Sequence, residues 1–249
     1  KAKAYGEEFG ISYFTNYHKM FEILPEINLV VVATPSGMHF EHSMEFLELY
    51  GKHVIIEKPT FMRPEQLNKA YATADKYGLH VIEDNAQAIG GSYFSKDGSK
   101  QKAGTIGNVG ATSFFPSKNL GCYGDGGAIF TNDDDLAHII RGIVNHGMYK
   151  RYYHDVVGVN SRLDSIQAAV LRAKLPKLDH YNQKRWEAAS KYTKAFRGQE
   201  HIVPPRIPCD CEIGKSLCDC HVFHQYTLRI LNGKRDGLVQ HLNDNDVPC

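Results

Sequence analysis

The residues best suited to chemistry lie between Glu83 and Gly127. Asp84 and Gln87 follow a predicted strand directly, and the carboxyl ends of parallel strands are where α/β proteins place their ligands. Lys118 follows another predicted strand, with Ser113 five residues before it. A lysine amine can form a Schiff base with a carbonyl, and a serine hydroxyl can bind a phosphate. The pattern therefore predicts carbonyl chemistry at Lys118 beside a bound phosphate.

Alternating strands and helices are predicted to position these residues. The upstream pattern is a strand at 28–35, a helix at 39–50 and a strand at 52–59, which together predict a βαβ unit. A helix beginning near Pro64 then leads to a strand at 80–83. Strands alternating with helices of this length indicate an α/β fold with a parallel sheet.

The second half of the chain continues with short strands and longer helices. We expect strands at 111–115 and 127–131, helices at 164–175 and 180–196, and a late strand at 223–231. Another helix is predicted after Asn132, which we expect to cap it, with three aspartates in its first turn.

Composition and charge exclude several classes of protein. The 249 residues are 42% hydrophobic and 23% charged, as in ordinary globular proteins, and the formal net charge is only +1. This balance disfavours nucleic acid and anionic membranes as partners. The longest apolar run, 29–33, is far too short for a membrane span, and charged residues interrupt any signal-peptide pattern near the start. We therefore expect a cytoplasmic protein.

The acidic residues suggest that the chain joins two segments. Residues 1–73 contain nine Glu and no Asp, whereas residues 74–249 contain four Glu and fifteen Asp. We therefore predict a junction near residue 74, at the sequence Ala-Asp-Lys-Tyr-Gly of residues 74–78.

Residues 74–249 closely resemble the sugar aminotransferases of the DegT/DnrJ/EryC1 family. The resemblance lies in Glu-Asp-Asn-Ala-Gln at 83–87, Ser-Phe-Phe-Pro-Ser-Lys at 113–118, the glycine turn at 124–127 and Gly-Val-Asn-Ser-Arg-Leu-Asp at 158–164. It implies the large-domain sheet of fold type I pyridoxal phosphate enzymes, without the family's usual N-terminal part and C-terminal end.

The same resemblance implies roles for five residues. Asp84 would contact the ring nitrogen of pyridoxal 5′-phosphate, Gln87 its ring oxygen and Ser113 its phosphate. Lys118 would form the Schiff base and move the proton. Asn160 would reach the cofactor phosphate of a neighbouring subunit, which implies a homodimer with shared active sites.

The implied reaction moves an amino group from an amino acid, L-glutamate, to a keto sugar nucleotide. The implied acceptor is a UDP-linked 3-keto hexuronate.

Residues 1–73 resemble a different family, the NAD-dependent Gfo/Idh/MocA oxidoreductases that act on sugar nucleotides. The similar segments are Ala-Thr-Pro-Ser-Gly-Met-His at 33–39 and Glu-Lys-Pro at 57–59. Lys58 would then mark a vestigial dehydrogenase site in a partial Rossmann-like unit. The chain has no G-x-G-x-x-G turn for a dinucleotide pyrophosphate, so NAD is a weaker prediction than pyridoxal phosphate. An NAD-dependent dehydrogenase and a non-catalytic interaction module remain the alternatives.

Four cysteines form a cluster that the aminotransferase motifs do not include. They are two C-x-C pairs, Cys209 with Cys211 and Cys218 with Cys220. Thiolates can bind zinc, but the usual spacing is C-x2-4-C, so we expect no metal and an irregular, reduced loop. His221, His224 and Tyr226 resemble a family segment near the substrate site, although each of these residues more often has a packing role than a chemical one.

Overall fold

The computed structural model describes residues 1–95, 98–206 and 218–249. It divides the chain into two compact units, residues 1–79 and residues 80–249. Among the helices of the described residues, none is long and apolar enough to cross a membrane.

The first unit is built around one parallel pair of strands. Its elements in chain order are helix α1 (Ala2–Phe9), helix α2 (Tyr17–Ile23), strand β1 (Leu29–Val32), helix α3 (His39–Glu48), strand β2 (His53–Ile56) and helix α4 (Pro64–Lys76). β1 pairs in parallel with β2, in a register that places Val32 beside Ile56, and α3 packs on both strands. The predicted βαβ unit is therefore confirmed.

The core of the first unit is aromatic. Phe21, Val32 and Phe46 are buried together, and the Phe21 ring stacks on Tyr50 at a centroid distance of 4.5 Å. Helix α2 supplies Phe21 and helix α3 supplies Phe46, each from one face of the helix, and Tyr50 follows the end of α3. The core thus lies against β1.

The second unit centres on a mixed three-stranded sheet. It is formed by β3 (Ile82–Asp84), β6 (Val109–Ser113) and β7 (Gly127–Phe130), in the order β3-β6-β7. β3 runs parallel to β6, whereas β7 runs antiparallel to it. The mixed α/β class agrees with the prediction, but the strand alternation gave no sign of the antiparallel strand.

Within its described residues, the second unit also contains three small antiparallel strand pairs and four α-helices. The paired strands are β4 (Ser92–Phe94) with β5 (Lys100–Lys102), β8 (Met148–Lys150) with β9 (Tyr153–His154), and β10 (Ile202–Val203) with β11 (Arg229–Ile230). The helices are α5 (Asp134–Val144), α6 (Ser165–Lys174), α7 (Leu178–Phe196) and α8 (Arg235–Asp244).

Two local predictions were wrong. The cap of α5 is Asp133, whose carboxylate accepts hydrogen bonds from the backbone of Asp135 and Leu136, and not Asn132. The late strand is also much shorter than 223–231, because only Arg229 and Ile230 pair with a neighbouring strand. The residues before them make side-chain and loop contacts instead.

Candidate active site

Asp84 and Ser113 end two neighbouring parallel strands. Asp84 is the last residue of β3 and lies opposite Ala111 of β6, and Ser113 is the last residue of β6. Parallel pairing brings the carboxyl ends of both strands to one edge of the sheet. A carboxylate and a hydroxyl therefore lie at the same edge, where a ligand would bind.

Local backbone hydrogen bonds orient both side chains. Asp84 Oδ1 accepts a hydrogen bond of 3.0 Å from the Ala86 N–H, which begins the turn that contains Gln87. Ser113 Oγ accepts one of 3.2 Å from the Phe115 N–H, so its own O–H can donate to a ligand oxygen. Within the described part of the chain, neither Asp84 Oδ2 nor the Gln87 amide has a hydrogen-bond partner.

Lys118 lies on the loop that follows Ser113. Its N–H donates 2.8 Å to the Phe115 carbonyl, and its side chain is half-buried. The structure gives its ammonium group no hydrogen bond or ion pair with a described residue, so the amine can meet a ligand carbonyl. Burial, together with the charges of Lys118 and Arg185, lowers the pKa of His224. The Lys118 ammonium and the His224 imidazole are therefore close enough to interact.

Asn119 holds the Lys118 loop in place. Its side chain is buried, and its Nδ2 donates to Asn182 Oδ1 at 2.7 Å and to the Val222 carbonyl at 3.0 Å. Its Oδ1 lies 3.1 Å from His224 Nδ1. Since Oδ1 can only accept, His224 donates its Nδ1 proton there. One amide thus joins the lysine loop to α7 and to residues 222–224.

Helix α7 extends this network. Asn182 Nδ2 donates to the Ile89 carbonyl at 3.1 Å, just beyond the turn that contains Gln87. Arg185 donates to the carbonyls of Phe223 and His224 at 3.2 and 3.1 Å. The Asp84 turn and the Lys118 loop are therefore attached to the same helix. The sequence patterns did not indicate Asn119, Asn182 and Arg185 as site residues, because a polar residue on a predicted helix or loop usually faces solvent.

The glycine-rich loop after Lys118 folds back on the sheet. Cys122 is fully buried, and its Sγ lies 3.0 Å from the carbonyls of Phe114 and Gly124. A Cβ on Gly121 would approach the Pro116 carbonyl to 2.4 Å, so only glycine fits there. Lys174 Nζ donates to the Gly121 carbonyl at 2.7 Å, which ties the loop to α6.

Glu83 supports the site from the opposite face of β3. Its carboxylate accepts hydrogen bonds from three backbone N–H groups, those of Gly104 at 2.9 Å and of Ile106 and Gly107 at 2.6 Å each. Successive side chains on a strand point to opposite faces, so Glu83 and Asp84 point away from each other. Glu83 therefore has a structural role that the sequence did not reveal.

Asn160 lies apart from the other predicted site residues. It is exposed and forms an isolated β-bridge with Asn145. Its Oδ1 accepts a hydrogen bond of 3.1 Å from Arg162 Nε. Among the described residues, no hydrogen bond or ion pair joins Asn160 to Asp84, Gln87, Ser113 or Lys118. Several exposed apolar residues lie beside it in sequence, namely Tyr152, Tyr153, Val157 and Val159, and Val157 is 96% exposed.

Lys58 belongs to the first unit and is exposed. The buried ring of His39 contacts the Thr34 carbonyl at 2.6 Å and the Pro59 carbonyl at 3.0 Å. These contacts join the two segments that resemble the oxidoreductases, both of which follow strands of the βαβ unit.

The described residues contain no group of three or more His, Cys, Asp or Glu side chains that could hold a metal ion. Cys209 and Cys211 lie outside the described residues, so the structure describes only two residues of the four-cysteine cluster. Cys218 and Cys220 are described, with their sulfur atoms 3.0 Å apart.

A cavity of about 380 Å³ lies away from these residues, between the 104–107 loop, the end of β7 and α5. Its lining includes Ile129, Thr131 and Arg141 but none of Asp84, Gln87, Ser113 and Lys118. It lacks a nucleophile and a base, whereas the strand-end group has both. We therefore place the candidate active site at Asp84, Ser113 and Lys118.

Two family models match the sequence. The model of the DegT/DnrJ/EryC1/StrS aminotransferase family matches residues 54–249, and that of the NAD-binding Rossmann-fold oxidoreductase family matches residues 1–84. Both predicted resemblances are confirmed, and the two matches overlap at residues 54–84, around the predicted junction.

Curated relatives include sugar-nucleotide aminotransferases. The chain is 45% identical over 180 residues to the UDP-2-acetamido-2-deoxy-3-oxo-D-glucuronate aminotransferase of Pseudomonas aeruginosa, covering 71% of this chain and 45% of that protein. It is 37% identical over 233 residues to the UDP-N-acetyl-3-dehydro-alpha-D-glucosamine 3-aminotransferase of Acidithiobacillus ferrooxidans, covering 90% and 58%. The chain thus spans about half the length of the curated relatives it matches.

Solved structures give the same result. DesV of Streptomyces venezuelae, in complex with a ketimine intermediate, has a TM-score of 0.65 at 31% identity over 88% of this chain and 61% of that one. An aminotransferase of Brucella abortus has a TM-score of 0.66 at 29% identity over 99% and 73%. The chain therefore belongs to the DegT/DnrJ/EryC1/StrS aminotransferase family.

Proposed function

We propose that this chain is a pyridoxal phosphate-dependent aminotransferase that acts on a keto sugar nucleotide. The observation that carries the proposal is the placement of Asp84 and Ser113 at adjacent strand ends, with Lys118 on the loop immediately after Ser113. The site therefore offers a carboxylate, a hydroxyl and an amine, and the amine has no partner among the described residues. Few ligands other than pyridoxal phosphate need these three groups together.

This donor set fits the cofactor. Asp84 would hold a proton on the pyridine nitrogen, Ser113 would donate its O–H to the phosphate, and the Gln87 amide would lie near the ring oxygen. When bound, pyridoxal phosphate supplies the electron sink that transamination needs. The hydrogen bonds that already orient Asp84 and Ser113 leave one carboxylate oxygen and one hydroxyl proton for this purpose.

Lys118 would perform two tasks in the reaction. Its amine would hold the cofactor aldehyde, and once displaced by the amino donor it would accept and return a proton at the reacting carbon. The second task requires a neutral amine.

The substrate class rests on the relatives. Two of them are named for 3-oxo or 3-dehydro UDP-linked sugars, and one of these sugars is a glucuronate. We therefore propose a UDP-linked 3-keto hexuronate as the amino acceptor and L-glutamate as the donor.

We also propose that the site is shared within a homodimer. Asn160 has no described contact with the rest of the site, and exposed Tyr152, Val157 and Val159 lie close to it in the chain. Apolar side chains exposed to this degree are typical of a covered interface. Asn160 would then reach the cofactor phosphate of the partner subunit.

A second candidate is an NAD-dependent dehydrogenase centred on Lys58. The contacts of His39 favour this candidate. They join the two segments that follow β1 and β2, and so order the edge of the first unit where a ligand would bind. Against it, the sequence has no glycine-rich turn for the pyrophosphate. A non-catalytic module that binds neither cofactor is the third candidate.

A titration with pyridoxal phosphate tests the first candidate. Pyridoxal phosphate is added to the full chain and to Lys118→Ala, with Lys177→Ala as a matched control, because Lys177 is an exposed lysine of the same unit. We expect a protein-dependent visible absorption band in the natural chain and in Lys177→Ala, and its loss in Lys118→Ala. A band that survives in Lys118→Ala contradicts the proposal.

A parallel titration with reduced nicotinamide cofactor, followed by its fluorescence, tests the dehydrogenase. Binding that is lost in Lys58→Ala, without any pyridoxal phosphate band, would favour the dehydrogenase. No signal with either cofactor would favour the non-catalytic module.

A further inference from the structure

Tyr123 lies in the glycine-rich loop after Lys118, and the proposed transamination makes no use of its ring. The side chain is 75% exposed, yet the backbone is fixed, because the Tyr123 N–H donates 2.7 Å to Gln167 Oε1 of α6. A tyrosine ring offers a flat apolar face with a polar tip, which suits it to binding. The loop therefore presents a large ring to solvent at a defined place.

Lys174 of α6 covers one face of this ring. Its Nζ lies 4.8 Å from the centroid of the Tyr123 ring, and the same ammonium group donates 2.7 Å to the Gly121 carbonyl. An ammonium group has three N–H donors, so these two contacts leave one. Lys174 is half-buried and forms no ion pair with an acidic residue of the described chain. It therefore has a donor and a positive charge to offer an anion, while the opposite face of the ring is open.

Backbone hydrogen bonds place the ring near the candidate active site. The Cys122 N–H donates 2.8 Å to the Phe114 carbonyl, and the Phe114 N–H donates 2.7 Å to the Gly126 carbonyl. Tyr123 thus lies in a turn that returns to the carboxyl end of β6. It follows Lys118 by five residues, and five residues of fully extended chain span at most about 18 Å. An extended sugar nucleotide can bridge the shorter distance across this folded loop.

We propose that Tyr123 and Lys174 bind the nucleoside diphosphate part of the substrate, an inference that rests on the keto sugar nucleotide proposed above. The base stacks on the open face of the Tyr123 ring, as bases do on aromatic side chains. The diphosphate passes the edge of the ring, where the remaining N–H of Lys174 donates to one of its oxygens. The sugar then extends toward Lys118.

Saturation-transfer NMR with UDP tests the site on the full chain, in the absence of pyridoxal phosphate. We expect the strongest transfer at the uracil protons, because they lie on the ring. Tyr123→Ala should weaken UDP binding by at least about 5-fold, as expected for the loss of one base–aromatic stack. Tyr123→Phe keeps the ring and should bind UDP as the natural chain does. Tyr93→Ala is the matched control, since Tyr93 is an exposed tyrosine of the same unit.

A comparison of UDP with uridine, which lacks the diphosphate, tests Lys174. UDP should bind the natural chain several-fold more tightly than uridine, and added salt should reduce this advantage. Lys174→Met should remove most of the advantage and leave uridine binding unchanged. Lys177→Met should keep it, since Lys177 is an exposed lysine just beyond α6. Circular dichroism checks that Lys174→Met folds, and the Tyr123 variants test the site without it.

This test and the test of the proposed function can fail separately, because UDP binding requires neither the cofactor nor the Lys118 amine. The inference is overturned if UDP does not bind the natural chain, or if it binds Tyr123→Ala equally well. Equal binding of UDP and uridine to the natural chain overturns the role of Lys174. UDP binding that depends on Tyr123, without a pyridoxal phosphate band, would support the nucleotide site and contradict the proposed role of Lys118.

Discussion

His224 Nδ1 donates a hydrogen bond to Asn119 Oδ1 at 3.1 Å, and Asn119 is the residue that follows Lys118. The position of the candidate catalytic lysine is therefore determined by a buried amide whose three partners come from α7 and from residues 222 and 224. These partners are more than 60 residues away in sequence, so the geometry of the site depends on the packing of the whole second unit.

Replacing Asn119 should destabilise the second unit. Asn119→Ala removes the hydrogen-bond partner of the Val222 carbonyl, of Asn182 Oδ1 and of His224 Nδ1 at a buried position, which we expect to cost about 2–3 kcal/mol. Urea unfolding followed by circular dichroism measures the loss. Asn132→Ala, at an exposed position, is the matched control and should change the free energy of unfolding by less than about 0.5 kcal/mol. Equal effects in the two variants would contradict the role given to Asn119.

Glu83 should contribute to stability through its carboxylate. Glu83→Ala removes the acceptor of three backbone N–H groups, and we expect it to lower the free energy of unfolding by about 2–3 kcal/mol. Glu83→Gln keeps one acceptor oxygen and should cost less. Glu187→Ala is the control, since Glu187 makes a partly exposed contact with Lys184 and should lower the free energy of unfolding much less than Glu83→Ala does. A Glu83→Ala variant as stable as the natural chain would show that the three hydrogen bonds contribute little.

The cap of α5 gives a direct comparison of two neighbouring residues. Asp133→Ala removes the side chain that accepts from Asp135 and Leu136, so it should destabilise the unit by about 1 kcal/mol. Asn132→Ala should have little effect, because that side chain caps nothing. The same unfolding measurement decides between the two residues. A larger effect at Asn132 would support the sequence prediction that Asn132 is the cap.

Asp219 should make stability depend on acid pH. Burial alone would raise the pKa of Asp219, but hydrogen bonds from Lys100, Ser92 and Lys102 lower it overall. Because the folded pKa lies below the unfolded value of about 3.9, the stabilisation is complete above that value and is lost as the pH falls further. Asp219→Asn should therefore lower the free energy of unfolding by about 1–2 kcal/mol at neutral pH.

The contrast between the natural chain and Asp219→Asn should then shrink toward about pH 3. Urea unfolding in the presence of a reductant, at several pH values, measures this convergence. A difference that stays constant between pH 7 and pH 3 would mean that the Asp219 carboxylate is not the source.

The sequence predicted the residues of the candidate site better than the residues that hold them in place. Asp84, Ser113 and Lys118 could be named because each follows a strand signal within a few residues, so local patterns determine where they lie. Asn119 and Glu83 could not, because their hydrogen-bond partners lie far away in sequence or are backbone groups with no residue signature. The antiparallel direction of β7 was missed for the same reason, since strand patterns alone do not encode which neighbour a strand takes.

Local chemistry also misled at two places. Asn132 and Asp133 are both good caps by type, and only the hydrogen bonds show that the second one begins α5. The apolar and β-branched residues at 223–231 favour a strand, but Phe223 and His224 offer their carbonyls to Arg185 instead. The Arg185 side chain of α7 therefore donates the hydrogen bonds that a neighbouring strand would otherwise donate to these carbonyls.

Reductive trapping determines directly whether Lys118 binds pyridoxal phosphate through its amine. The full chain is incubated with pyridoxal phosphate, reduced with borohydride and digested with trypsin. Reduction at Lys118 blocks cleavage there, so residues 103–118 and 119–141 should remain in one peptide that carries the cofactor. Lys177→Ala should give the same peptide. Labelling at other lysines with normal cleavage after Lys118, or no labelling at all, would show that Lys118 does not bind the cofactor.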